Sequence, residues 1–299
     1  MNYENFKRNI LLKLQDYYGT EADITIKSML KNNGVEYDAV SIAFKGMQKC
    51  PAPVISIGWL YREYEDNKID IQGCADAIIT KNEMLKSTNN VEAFSGELMN
   101  WQLIKEKVFP MLLSTENNKK LLDGIVSSPL LDLSIAYVIK NEVSNEQWYS
   151  VKVTKRMLKY YGISELELHT QAMENLSKDG YKFENMHTVI KNMLSIDTSA
   201  EEQEDSLKMY VLTNSSNTYG AAGILDKNML KRFAGEKNFL IIPSSVHETI
   251  FIPAFDSTDI SLINEMIKEV NITQVDREDV LSEHCYFYDA EANEIRMCA

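Results

Sequence analysis

A pattern that occurs twice constrains this chain more than any other feature. Tyr137 to Lys159 reads YVIKNEVSNEQWYSVKVTKRMLK and Tyr210 to Lys231 reads YVLTNSSNTYGAAGILDKNMLK. In each, Tyr-Val opens an apolar run, an Asn (Asn141, Asn214) closes it, and a second run leads to Thr154 or Asp226 ahead of Lys-x-Met-Leu-Lys. Thr and Asp suit a helix N-cap because their side-chain oxygen accepts from a free backbone N–H of the first turn. The pattern predicts a repeated strand-turn-strand-helix unit, with Met157-Leu158 and Met229-Leu230 facing a core and the flanking lysines in solvent. Helices alternating with hairpins imply an α+β (mixed α/β) fold, helices packed on mixed or antiparallel sheets, and not a doubly wound nucleotide-binding fold.

The rest of the chain reads in the same alphabet. Phe6, Ile10, Leu11, Leu14 and Tyr18 recur at helical spacing before Gly19, which predicts an amphipathic opening helix. Ile24–Leu30 and Val35–Ala43 flank Asn32-Asn33-Gly34, and Asn-Gly supplies the positive φ angles of a tight hairpin. Val54–Ile57 reads as a short strand, Trp59 to Leu85 as helical, Val108–Leu113 as a strand and Glu116–Ile125 as a helix. Ser164 and Glu167 have capping-box spacing. Phe239–Ile242 pairs with Thr249–Ile252, Ile260–Val270 is helical, and Tyr286–Tyr288 with Ile295–Met297 makes a terminal hairpin. At 299 residues several modules are expected. The boundaries follow polar stretches: an N-terminal α/β module at 1–88, a middle module with the first repeat copy at 89–196, and a C-terminal module with the second copy at 206–299. The segment 197–205, DTSAEEQED, has five acidic and no large apolar residues, too little burial to offset the entropy of ordering, so it reads as a linker.

Charge and cysteines limit the partners. A formal charge of −13 repels phosphate backbones and anionic lipid surfaces, so nucleic acid is disfavoured, although Lys152, Lys155, Arg156 and Lys159 lie beside Tyr160 and Tyr161 as a strand-binding patch would. No apolar run approaches the roughly 20 residues that cross a bilayer. The start MNYENFKRN lacks the basic end and apolar core of a signal peptide. Cys50, Cys74, Cys285 and Cys298 are scattered, which fits reduced thiols in a cytoplasm.

One segment, FLIIPSSVHETIFIP at 239–253, crowds nucleophile and base types together: Ser244, Ser245, His247 and Glu248. A hydrolase would need one serine activated by His247. On an extended strand Ser245 and His247 lie about 7 Å apart at Cα, beyond hydrogen-bond reach, and no Gly-x-Ser-x-Gly elbow is present. The bland reading is a polar turn begun by Pro243. Zinc ligation by His247-Glu248 with Glu283-His284-Cys285 would rest on tertiary coincidence, since no His-x-x-x-His or paired cysteine spacing exists. No metal is therefore expected. His169 and His187 sit in polar helical surroundings, and the chain carries no phosphate loop, dinucleotide fingerprint or calcium loop, so no cofactor is expected.

The segments KNNGV (31–35), LDLSIAYVI (131–139), GISELEL (162–168), YVLTN (210–214) and IIPSSVHE (241–248) together resemble an uncharacterised bacterial domain-of-unknown-function family of about this length. The middle segment is more weakly similar to another uncharacterised bacterial family. The resemblance implies a bacterial cytoplasmic protein and assigns no activity to any residue. With no catalytic constellation, the residues point to a non-enzymatic interaction or regulatory protein that holds a protein partner on its sheet edges or inter-module grooves. A hydrolase using the Ser/His/Glu cluster is the alternative.

Overall fold

The computed structural model describes residues 1–45, 54–87, 96–144, 147–194, 209–255 and 259–298. The chain forms two compact units, Met1–Ile104 with Asn141–Gln147, and Lys105–Lys140 with Trp148–Ala299. The fold is α+β, and every strand pairing given among the described residues is antiparallel. Sequence spacing divides the chain differently, into three modules. The strands on either side of the acidic segment 197–205 pair with each other, Lys182 opposite Thr213 through Asn185 opposite Tyr210. Hydrogen bonding thus joins what composition separates. The acidic segment itself lies outside the described residues, as does Cys50.

In the first unit, α1 (Tyr3–Tyr18) buries Phe6, Ile10, Leu14 and Tyr18, one residue per turn on a single stripe. Asn2 caps it by accepting from Asn5 N at 2.9 Å, and Gly19, at φ 55°, ends it. The sheet order is β1 (Ala22–Leu30), β2 (Glu36–Phe44), β3 (Val54–Ser56). Asn33 and Gly34 take the positive φ that the sequence predicts, although the loop between the last paired residues, Leu30 and Glu36, is longer than two residues. The predicted helical stretch is two helices, α2 (Gly58–Glu65) and α3 (Ile71–Ser87). The break falls where Asn67 turns left-handed and Asp70 Oδ1 accepts from Gly73 N at 2.7 Å, starting the second helix. Tyr3, Phe6, Tyr61 and Tyr64 interleave their rings, and the short α4 (Trp101–Ile104) follows.

The second unit holds two sheets. The first is β4 (Val108–Ser114), β6 (Leu133–Ser144), β5 (Ser127–Leu130), with β7 (Gln147–Lys152) also on β6. Alternation brings Met111 and Leu113, and Ala136 and Val138, into one buried cluster with Ile125. The helix predicted at 116–125 is a single turn, α5 (Lys119–Leu122). After α6 (Lys155–Tyr161), α7 (Glu165–Leu176) starts at Ser164, whose Oγ accepts from Glu167 N at 3.1 Å. It packs on β4, and Asn175 Nδ2 donates to the carbonyls of Lys105 and Val108. The second sheet runs β13 (Glu294–Met297), β12 (Tyr286–Asp289), β10 (Phe239–Ile242), β11 (Thr249–Pro253), β9 (Tyr210–Thr213), β8 (Lys182–Asn185). Between these strands lie α8 (Met186–Leu194), α9 (Lys227–Ala234) and α10 (Ile260–Thr273). Phe233 of α9 stacks on Phe183 at 3.6 Å and meets Tyr210, Phe239 and Phe251, so an aromatic cluster fixes α9 to the sheet.

Both segments of the pattern end in a capped helix, and they differ in the middle. Thr154 Oγ1 accepts from Met157 N at 3.1 Å and Asp226 Oδ1 from Met229 N at 2.9 Å, so both caps form, and Leu158 and Leu230 are buried. In the first copy β6 runs through Asn141 to Ser144 before β7 returns. In the second the returning strand is replaced by a 3₁₀ helix, Gly220–Leu225. A Cβ on Gly220 would clash with the His247 carbonyl and lie 2.6 Å from Thr213 Oγ1, and one on Gly223 would lie 2.7 Å from the Tyr181 ring. Small residues let this segment press against its neighbours, an approach that strand-forming side chains would block. Leu158→Ala and Leu230→Ala should each cost about 2 to 5 kcal/mol in denaturant melts. Lys155→Ala and Lys227→Ala, at exposed positions, should change stability by no more than about 0.5 kcal/mol.

Candidate functional site

Ser244, Ser245, His247 and Glu248 lie in the loop joining β10 to β11, and backbone bonds hold that loop in place. Ser245 N donates to Glu248 O at 3.2 Å, closing the turn; Val246 N donates to Asp279 O at 2.8 Å, and Ala221 N to Val246 O at 3.3 Å. Thr213 Oγ1 donates to His247 O at 3.0 Å. The side chains pair within this frame. Ser245 Oγ accepts from His247 N at 3.0 Å, and Ser244 Oγ donates to Glu248 Oε1 at 3.2 Å. His247 Nδ1 accepts from Tyr219 N at 3.2 Å, and its Nε2 lies 3.2 Å from Asp279 Oδ1. An acceptor at Nδ1 places the proton of the neutral ring on Nε2, where it is donated to Asp279. The structure therefore pairs Ser244 with Glu248 and His247 with Asp279, and it gives neither ring nitrogen of His247 a serine hydroxyl. Tyr219, left-handed at φ 57°, also lays its ring on the imidazole at 5.8 Å and 20°.

Below this loop runs a buried polar network that the sequence reading missed. Lys140 Nζ, on a side chain 2% exposed, meets Asp179 Oδ2 at 2.7 Å and donates to Thr218 O at 3.2 Å. Asn214 Nδ2 donates to the same two acceptors at 2.8 and 2.9 Å, and its Oδ1 accepts from Thr218 N and Ser216 Oγ. The ammonium also stands 5.0 Å over the Phe109 ring. Burial pulls the Lys140 pKa below its ordinary value, against the attraction and hydrogen bond of Asp179. Burial first, then the charge of Asp179, push the Tyr181 phenol well above 10.0, and its hydroxyl makes no well-formed hydrogen bond. The available signal was a lysine continuing the apolar run LSIAYVI.

A second cluster gathers residues about 150 positions apart in sequence. Asp132 Oδ2 accepts from Ser282 Oγ at 2.7 Å and lies 3.4 Å from His284 Nδ1, while its Oδ1 accepts from Tyr286 OH at 2.7 Å. This is a serine, a histidine and an aspartate, yet the serine proton goes to the carboxylate and Ser282 Oγ accepts from His284 N; a triad needs the serine proton on the imidazole. The Cys285 thiol is pushed up to about 12, chiefly by burial and then by the neighbouring Cys298, which leaves it a poor nucleophile. His247-Glu248 and Glu283-His284-Cys285 do not assemble a metal centre, since no group of three or more His, Cys, Asp or Glu among the described residues could hold a metal ion. His169 Nδ1 lies 2.8 Å from Tyr137 OH, and His187 is exposed. Of the aromatic pair beside the basic turn, Tyr160 is exposed, whereas burial pushes Tyr161 up to about 12. No helix among the described residues is long and apolar enough to cross a membrane.

A model for a family of unknown function, DUF5688, matches residues 3–290. Comparison with curated proteins and with solved structures gives no match.

The buried network and the Asp132 cluster each give a testable outcome. Lys140→Met removes one partner of a buried pair and should destabilise the second unit by about 3 to 5 kcal/mol in urea melts. The raised phenols give a pH dependence of definite sign. Tyr181 and Tyr286 keep their protons in the folded state above pH 10.0, where the unfolded chain releases them. Their stabilisation is complete below that pH and lost as pH climbs through the raised values. Melting midpoints should fall from about pH 10 upward, and Tyr181→Phe should flatten the fall.

Proposed function

The chain belongs to the DUF5688 family of unknown function, and we propose that it is a non-catalytic interaction protein that holds a protein partner, in the cytoplasm of a bacterium. The observation that carries this reading is an uncovered apolar stripe on α10. Leu262, Met266 and Val270 recur every four residues, 55, 56 and 46% exposed, while Ile267, about 100° round the helix from Met266, is buried. Single exposed leucines are ordinary, but three on adjoining turns form a surface that costs free energy in water until something covers it. Glu265 and Glu269 lie along one edge of the stripe, and the whole chain carries −13, so the fitting partner presents an apolar strip with a basic margin. Further support comes from the β10–β11 loop, whose nucleophile and base types are occupied by hydrogen bonds of the fold.

Affinity purification from the native cell should recover a stoichiometric partner with the wild-type chain. Leu262→Gln, Met266→Gln and Val270→Gln together should release it at an unchanged melting temperature, since buried contact side chains contribute about 2 kcal/mol each. Recovery of no partner, or equal recovery by the triple variant, would overturn the proposal. One contact favours the hydrolase alternative, the Ser244 hydroxyl on the Glu248 carboxylate at 3.2 Å. A serine-directed fluorophosphonate should leave Ser244 unlabelled; labelling lost in Ser244→Ala would support the enzyme instead.

A further inference from the structure

Two clefts of the second unit share a border, and their linings differ in chemistry. One, of about 330 Å³, is lined by Leu131, Leu225 and Ile295, over the buried Leu133, Leu230, Tyr286 and Tyr288. The other, of about 750 Å³, carries the cations Lys227, Lys231 and Arg232. Leu225, Lys227 and Asn293 line both, so they mark the seam.

The hydrogen bonds on this border are unevenly distributed. Both tyrosine hydroxyls are occupied, Tyr286 on Asp132 and Tyr288 on Asn293 Oδ1, and both residues are buried beneath the first cleft, whose accessible apolar lining is Leu131 with the half-buried Leu225 and Ile295. Lys231 donates to Ala290 O. Lys227 Nζ and Asn293 Nδ2, by contrast, make no hydrogen bond or ion pair among the described residues. The two polar side chains at the seam therefore both present unused donors. Against them stand Asp226, which accepts the first-turn N–H of α9, and Glu174 and Glu294, both exposed. Over the two clefts together Lys227, Lys231 and Arg232 are balanced by Glu174, Asp226 and Glu294, so no net positive charge draws a polyphosphate, and a single anionic group is recognised through the unused donors.

Leu131 adds a separate observation. It holds φ 55° in the two-residue turn between the paired Leu130 and Leu133, and its side chain is 45% exposed. A branched side chain in the left-handed region is strained, and here burial does not repay the strain. Strain of this kind concentrates at ligand clamps, and Leu131 lines the apolar cleft.

We propose that the joined clefts bind an aliphatic monocarboxylate, its chain against Leu131, Leu225 and Ile295 and its carboxylate on Lys227 Nζ and Asn293 Nδ2. The site is independent of the α10 surface. Volumes of this size are those of small-molecule pockets.

The test is calorimetric titration of the full chain with hexanoate, octanoate and decanoate, and with decyltrimethylammonium as a cation of equal chain length. Affinity should rise about fourfold for each added methylene, and the cation should not bind. Lys227→Met keeps the stem's apolar bulk and should weaken decanoate about tenfold or more, the worth of a charge-assisted hydrogen bond. Leu131→Asn suits the left-handed turn, so the variant should fold, and it should reduce the dependence on chain length. Equal binding of decanoate and decyltrimethylammonium, no binding of decanoate, or unchanged decanoate affinity in a folded Lys227→Met variant would each overturn the assignment.

Discussion

The buried pair of Lys140 and Asp179 is the interaction on which the second unit depends. Taking an ammonium and a carboxylate out of water costs several kcal/mol per ion, and their attraction repays this only where the remaining donors and acceptors are matched. Asn214 and the Thr218 carbonyl supply that match. Because Lys140 ends an apolar run of β6 while Asp179 and Asn214 flank β8 and β9, the pair fixes one sheet's strand to the other sheet's turns. The 3₁₀ segment follows from this, since Thr218 precedes Tyr219, which packs on the core of the first sheet and donates its N–H to His247. The loop that looks catalytic in sequence is thus the far end of a scaffold that starts at a lysine in a core.

That ordering explains what the loop's residues do. Ser245 satisfies a backbone donor, His247 bridges Tyr219 and Asp279, and Gly220 lets the His247 carbonyl approach closely. Serine, the residue type that suggested a nucleophile, is also a residue type that closes turns.

Local signals were legible in the sequence, and tertiary ones were not. The caps at Thr154, Ser164 and Asp226, the left-handed Asn33-Gly34 and the stop at Gly19 all depend on residues within four positions of one another, and spacing alone finds them. The 3₁₀ helix at Gly220 replaced an expected strand because the reason for it, the carbonyl of His247, lies 27 residues away. The pairing of β8 with β9 joined modules that composition had set apart. Of the candidate site, the serines, His247 and Glu248 were visible as a cluster, while Asp279, Tyr219, Lys140 and the Asp132–Ser282 contact required folding to bring them in. Nothing in local spacing reports a partner 30 to 150 residues distant.

The central claim is that the β10–β11 loop serves the fold, with His247 held between a backbone donor and a carboxylate. The most direct measurement is the tautomer of that ring, read from the nitrogen chemical shifts of the labelled imidazole near neutral pH. For the neutral ring the account predicts a proton on Nε2, with Nδ1 acting as acceptor for Tyr219 N–H. A proton on Nδ1, or a ring alternating freely between tautomers, would contradict it and return His247 to the candidates for a general base.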